Sequence, residues 1–349
     1  MARSFFLTPR TDEPHIAVRQ WIALQAEVLA GAVARGEPAA FDVLRYVGLE
    51  AAAQNARLDL DTAGLAVAKN HGYLDWADAA AHGHDTVDTM FETAADAIHA
   101  GDLDLLHRQL DEEPALVTMR SPFPHRQTLL HHVAANGIES ERQRQSPPNA
   151  SEVLQVLIDR GADPDATCDS YGGGPGTTTL CLLVSSAFPA AAGTQVPLVE
   201  TLCAAGARID GIGDDCLPLW TAISLGYTHA AEALARAGAR ADNLVLAAAL
   251  GDLDAVKGSF DAHGRLRPQA AQVVSMGANG PQLKPERLVE YALIWAAAHS
   301  RRPVVEFLLT KDPDLRVTEP LFQSTAIGMA RYRKKDEIIT LLEPLAPSA

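Results

Sequence analysis

Gly161-Ala162-Asp163-Pro164-Asp165-Ala166 returns as Gly206-Ala207-Arg208-Ile209-Asp210-Gly211 and again as Gly238-Ala239-Arg240-Ala241-Asp242-Asn243. Each copy follows a leucine-rich stretch with helical periodicity, such as Val153-Leu154-Gln155-Val156-Leu157-Ile158 before the first. A recurring unit of roughly 33 residues reads as a helix pair that cannot bury its apolar face alone and must stack on copies of itself. The segments Ala94 to Gly101, Thr128 to Gly137, Leu217 to Gly226, Asp242 to Gly251 and Tyr291 to Ser300 share one grammar. In Thr128-Leu129-Leu130-His131-His132-Val133-Ala134-Ala135-Asn136-Gly137 a threonine is placed to cap, and aliphatic and small residues follow at helical spacing. The glycine then suits a left-handed stop. Alanines let helices approach closely, and leucines supply the area each interface buries. The pattern predicts an all-α chain of stacked helix-turn-helix units.

Composition bounds that reading. The chain has 349 residues, 47% hydrophobic and 21% charged, enough for a large core. Its mean hydropathy of −0.02 suits a soluble protein. The longest apolar runs, such as Leu244 to Leu250, fall short of the roughly 18 to 20 residues a bilayer demands. Ser4-Phe5-Phe6-Leu7 is too brief for a secretory apolar region. The expectation is therefore a cytoplasmic protein with no membrane partner. Forty-four acidic against 29 basic side chains leave a net charge of −15, which opposes attraction to phosphate backbones, so no nucleic-acid partner is expected. Arg331-Tyr332-Arg333-Lys334-Lys335 is a local exception, with Arg301-Arg302 placed near it by a regular stack. It reads as a solvated helix end, with an anion or acidic-partner site as the alternative. Cys168, Cys181, Cys203 and Cys216 form no CxxC pair, so neither a disulfide framework nor a zinc cage is expected. His82-Gly83-His84-Asp85 offers metal-type ligands, but neighbours this close need a distant partner to close a tetrahedral site. No metal or cofactor is assigned.

The units resemble the ankyrin repeat. Thr128 to Ala134 is similar to its TPLHxAA signature, with Leu129 in the place of proline, and Leu217-Pro218-Leu219-Trp220-Thr221-Ala222 keeps the proline but has Trp220 for histidine. Tyr291 to Ala297 with Val304 to Leu309, and Thr325 to Ala330 with Ile338 to Leu342, resemble further units. The likeness, to bacterial ankyrin repeat-containing proteins, covers residues 91 to 345. It implies an ankyrin repeat solenoid over 91–349, with His131 bonding between neighbouring turns. Residues 1–90 read as a helical N-terminal cap with degenerate repeat-like segments. Val18, Trp21, Ile22, Leu24, Val28 and Leu29 have helical spacing there, and Val67 to Trp76 is similar to a segment that often precedes such repeats in bacterial proteins.

Two insertions break the spacing, at 138–149 and 187–195. Insertions in repeat proteins map to loops on one face, frequently the binding face. Asp169-Ser170-Tyr171-Gly172-Gly173-Gly174-Pro175-Gly176 carries four glycines in five positions, which costs backbone entropy on ordering. It lacks the lysine of a phosphate-binding loop and reads as a mobile finger. By the resemblance, the concave side is faced by the residues before the terminal glycine and those one turn earlier. This gives His132 with Asn136, Leu182 with Ser186, Thr221 with Leu225, Trp295 with His299, Met329 with Arg333, and the matching His99. His125, Arg126, Tyr171 and Tyr227 complete the candidate binding set.

No GxSxG elbow, HExxH helix or Walker sequence occurs. The principal expectation is a non-catalytic recognition protein that binds another protein through its concave face and turn loops. The alternative is a small-molecule enzyme or metabolite-binding protein with a pocket around residues 122–227, where His132, His125, Asp169, Tyr171 and Asp215 would converge. A regulatory or immunity factor is a third reading. On the principal reading, His132→Ala and Tyr171→Ala impair binding while leaving folding nearly intact.

Overall fold

The computed structural model describes residues 7–53, 57–81, 85–139, 142–170, 176–241, 243–268, 270 and 280–345. Among the described residues the chain is all-α apart from two short ribbons and a single bridge, and it is built of stacked helix pairs as in a repeat solenoid. It divides into two compact units, 1–207 and 208–349. No helix among the described residues is long and apolar enough to cross a membrane.

The first unit opens with β1 (His15–Ala17), paired antiparallel with β2 (Thr86–Asp88). Between them lie α1 (Val18–Ala34), α2 (Pro38–Tyr46), α3 (Leu60–Asn70) and α4 (Trp76–Ala81). Helix α1 packs on the other three. Its Trp21, Ile22, Leu29 and Val33 share a core with Ala66 and Val67 of α3 and with Phe123 from further along the chain.

Helix pairs follow: α5 (Thr89–Ala100) with α6 (Leu103–Glu112), α7 (Leu129–His132) with α8 (Ala150–Asp159), then α9 (Thr179–Ser185), α10 (Ala187–Ala192) and α11 (Gln195–Ala204). Helix α7 packs on both α5 and α9, and α8 packs on α11. Local signals place the boundaries. Asp88 accepts hydrogen bonds from the Met90 and Phe91 N–H groups at 2.9 and 3.0 Å, relieving orphan donors at the start of α5. Gly101 stops α5 at φ +68°, where an added Cβ would also lie 2.3 Å from Asn149 Oδ1. Thr128 and His131 close a capping box, in which the Thr128 N–H donates to His131 Nδ1 at 3.1 Å. The 187–195 insertion contributes α10, and β3 (Thr167–Cys168) pairs with β4 (Thr177–Thr178) at the base of the glycine segment. Residues 171–175, the tip of that segment, lie outside the described residues, as does His82-Gly83-His84.

Helix α7 is shorter than the Thr128-to-Gly137 reading. The chain leaves it early because Ala135 turns left-handed at φ +43°, and Ser186 Oγ donates to the Ala135 carbonyl at 2.6 Å. The insertion at 138–149 is thereby turned inward.

The second unit holds four pairs: α12 (Leu217–Leu225) and α13 (Thr228–Arg236), α14 (Leu244–Leu250) and α15 (Leu253–Gly258), α16 (Leu288–Ala298) and α17 (Arg302–Leu309), α18 (Ala326–Tyr332) and α19 (Asp336–Leu342). Helix α16 is sandwiched between α14 and α18, and α15 packs on α17. Asn243 and Thr325 cap α14 and α18 through their side-chain oxygens. Helix α16 is apolar on all sides, from Tyr291 to Ala298, because neighbours enclose it.

Leu157 is fully buried, so Leu157→Ala is expected to lower stability by about 2–5 kcal/mol. Leu74, 80% exposed, should tolerate alanine within about 0.5 kcal/mol. Urea denaturation followed by circular dichroism checks both, and equal midpoint shifts would contradict this assignment of core and surface.

Candidate functional site

The polar insertion, expected as a loop on the binding face, instead supplies side chains to the interior of the first unit. Glu139, Arg142 and Gln143 are buried. Arg142 Nε donates to Glu139 Oε2 at 2.5 Å, Nη1 to Asp96 Oδ1 at 3.1 Å, and Nη2 to Glu92 Oε2. Glu92 and Asp96 belong to α5, so one guanidinium ties the insertion to that helix. The other Glu139 oxygen, Oε1, lies 3.1 Å from His71 Nδ1 and 3.2 Å from His125 Nε2. His71 follows α3, its Nε2 lies 2.6 Å from Gln25 Oε1 of α1, and its ring stacks on Phe123 at 3.7 Å. Gln143 Nε2 donates to Gln127 Oε1 at 2.7 Å, which continues the layer towards α7.

Dehydration sets the protonation states in this layer. Burial pushes the Glu92 carboxyl up to about 8 despite Arg142. Glu139 feels the same burial, but Arg142 and the two imidazoles outweigh it and hold its carboxyl well below the usual range. Burial lowers His71, takes His99 down to about 3 and His131 to about 4, and drops His132 well below its ordinary value.

The expected binding residues of this unit are mostly enclosed. His99, His125, His132, Asn136 and Ser186 are all buried, which corrects the reading of them as groove residues. For His99, His125 and His132 the inward turn of the insertion explains this, because it sets Glu139, Gln143 and Gln145 against them, whereas Asn136 and Ser186 are taken up by contacts between the exit of α7 and α9. His99 Nε2 lies 3.4 Å from His132 Nδ1, and His132 Nε2 has no hydrogen-bond partner among the described residues. Asn136 Nδ2 donates to the Leu182 carbonyl at 2.7 Å, fastening the exit of α7 to α9. Arg126 and Asp169 are exposed, and Tyr171 lies outside the described residues. Asp215, in the second unit, accepts from the Leu217 N–H at 3.1 Å, a helix-start role. With His132 enclosed and these carboxylates engaged elsewhere or in water, the metabolite-pocket reading gains no support.

In the second unit several expected residues do converge. His299 Nε2 lies 2.9 Å from the Ile223 carbonyl, and its Nδ1 lies 2.8 Å from Thr228 Oγ1. Arg333 Nη1 donates to the Ile223 carbonyl at 3.2 Å and Nη2 to the Ser224 carbonyl at 2.6 Å. These carbonyls sit in the last turn of α12, where intrahelical donors run out and a cation is favoured; the Ile223 carbonyl also accepts from the Gly226 N–H at 3.1 Å. The Arg333 guanidinium also lies 5.5 Å from the Trp295 ring. Trp295 and His299 are buried, which corrects them from contact surface to support; Thr221 and Tyr227 are half-buried. Burial, with Arg333 adding to it, takes His299 down to about 3, so it is neutral at physiological pH.

An open groove of about 610 Å³ is built on this platform, lined by Ser224 to Gly226 at the end of α12, Phe322 and Ser324 before α18, and Met329, Tyr332, Arg333 and Lys335. Leu225, Phe322 and Tyr332 are 48, 50 and 82% exposed. Phe322 leans edge-on against Trp295, with centroids 6.4 Å apart, so buried indole supports the exposed ring. Phe322, Tyr332 and Lys335 were absent from the expected binding set. Their signal lay in the basic run 331–335 read as a solvated helix end, and nothing local marked Phe322 as its neighbour.

Two outcomes follow. Arg142→Met leaves two buried carboxyls and the half-buried Asp96 without their cation and should cost about 3–5 kcal/mol, measured by denaturant titration. Acid should also destabilise the fold. His99, His131, His132 and His299 have folded pKa values below their unfolded ones, so between about pH 3 and 6.5 the unfolded chain binds more protons. Stability contributed by these groups is complete above that window and is lost as pH falls through it. Glu92, raised to about 8, and Asp96, also raised by burial, act in the opposite sense but are outnumbered by the imidazoles. The melting temperature should therefore fall from pH 7 to pH 5, with a shallower fall in His99→Gln; a flat profile would contradict the neutral buried imidazoles.

No protein-family model matches the chain, and no curated protein sequence does. Among solved structures, the chain is similar to the crystal structure of the ankyrin repeat domain of Bcl-3, a unique member of the IkappaB protein family, at 18% identity over 71% of this chain and 97% of that one. The TM-score is 0.36, too loose a superposition to carry weight for fold or function.

Proposed function

We propose that this chain is a non-catalytic recognition protein that holds a peptide segment of a protein partner in the groove between the end of α12 and α18. The supporting observation is the grouping of exposed Leu225, Phe322 and Tyr332 around the cations Arg333 and Lys335 in a chain of net charge −15. Exposed aromatic side chains beside arginine are the residues that carry most interface energy. Two cations lining a mainly acidic protein's groove select an acidic segment, and the rings take an apolar side chain within it. His299 and Trp295 act as a rigid floor in this reading, and the first unit with its N-terminal cap (residues 1–90) acts as scaffold.

Selection of peptides from a random display library on the full chain tests the reading. Acidic peptides with an aromatic or aliphatic anchor should be enriched, and Tyr332→Ala with Phe322→Ala should weaken them about tenfold or more at an unchanged melting temperature. Equal binding to the double variant, or stabilisation by a small metabolite with no peptide enriched, would overturn it.

A further inference from the structure

We propose that His71 Nδ1, His125 Nε2 and Glu139 Oε1 form a site for Zn²⁺, a metal clip that fastens the inserted segment to the end of α3 and to the turn before α7. The three ligand atoms lie within 4.8 Å of one another, and all three residues are buried. Glu139 Oε1 stands 3.1 and 3.2 Å from the two imidazole nitrogens. With metal–ligand bonds of about 2.0–2.2 Å, neighbouring ligand atoms of a tetrahedral ion are about 3.4 Å apart, so small movements admit the ion. Two imidazoles and one carboxylate suit zinc, whereas calcium and magnesium prefer oxygen throughout.

Hydrogen-bond accounting around His71 points the same way. Its Nε2 lies 2.6 Å from Gln25 Oε1, so in the tautomer with the proton on Nε2 the ring donates to Gln25 and offers its Nδ1 lone pair as a ligand. In that tautomer the lone pair faces a carboxylate oxygen at 3.1 Å, two acceptors that a cation or a change of tautomer reconciles. A cation between them removes that conflict, and Gln25 becomes the partner that orients the ligand ring. The remaining oxygen of Glu139 is already held by Arg142 Nε at 2.5 Å, which fixes the orientation of Oε1. For His125 the ligating tautomer carries its proton on Nδ1, where the Gln127 N–H now donates at 3.2 Å. Binding therefore obliges the Gln127 amide to turn away, and its resonance becomes a local reporter.

The test uses the full chain, stripped with chelator and confirmed folded by circular dichroism. Titration with Co²⁺, a coloured stand-in for zinc, should give one equivalent with visible d–d bands, displaced by Zn²⁺. The Gln127 amide resonance should shift as the site fills. His71→Ala and Glu139→Gln should each lose about tenfold or more in Co²⁺ affinity. His229→Ala, at a ring 87% exposed in the other unit, should lose nothing. Failure of the folded wild-type chain to take up Co²⁺ or Zn²⁺ at micromolar free ion would overturn the proposal. That result would leave a metal-free network with Gln25 rotated or His71 protonated. Equal uptake by His71→Ala, or uptake without a shift at Gln127, would place the metal elsewhere and overturn it equally. The wild-type measurement stands even if a variant misfolds, and none of these outcomes bears on peptide binding.

Discussion

A short helix lined by alanine and leucine has one face that water disfavours, and it cannot bury that face alone. The constraint is met by stacking pairs, so that α7 lies between α5 and α9 and α16 lies between α14 and α18. Each buried leucine contributes about 1.5–3 kcal/mol only when the next copy is in place. Boundaries, caps and glycine stops follow from that need, because a stack tolerates little variation in helix length. Asp88, Asn243 and Thr325 start helices with side-chain oxygens, and Gly101, Gly226 and Gly251 end them in the left-handed region.

The first unit departs from a plain stack by accepting charge into its interior. Taking carboxylates and a guanidinium out of water costs several kcal/mol per ion, and their mutual attraction offsets this only with good geometry. The three-way fork of Arg142 onto Glu139, Glu92 and Asp96 supplies that geometry. Such a cluster is poor at adding stability and good at defining one arrangement. Any other path of residues 138–149 would strand an ion in apolar surroundings, so the insertion is held in register against α5 and α3.

The second unit uses cations differently. Arg333 satisfies carbonyls at the end of α12, and Arg301 Nε does the same for the Ala249 carbonyl at the end of α14 while Nη2 pairs with Glu232. These guanidiniums complete helices and remain close to the surface, which leaves aromatic side chains exposed beside positive charge. The first unit encloses its polar side chains, and the second keeps a groove open at its surface.

The repeat was legible from the sequence because it depends on local, periodic features. Glycine turns, capping residues and leucine spacing are written within about ten residues and act through backbone geometry, so the helix pairs and the capping role of Thr128 could be read without coordinates. The fate of the polar insertion could not. Glu139 and Arg142 in isolation look like solvent-exposed charges, and only partners 46 to 68 residues away, Glu92, Asp96 and His71, make their burial affordable. The same holds for His132 and Ser186, whose enclosure depends on what fills the space in front of them, and for Phe322, whose place beside Tyr332 is set by packing on Trp295. Local sequence determined which segments are helices and how they pair; the tertiary structure alone decided which polar side chains face water, because dehydration is a property of the whole surrounding shell.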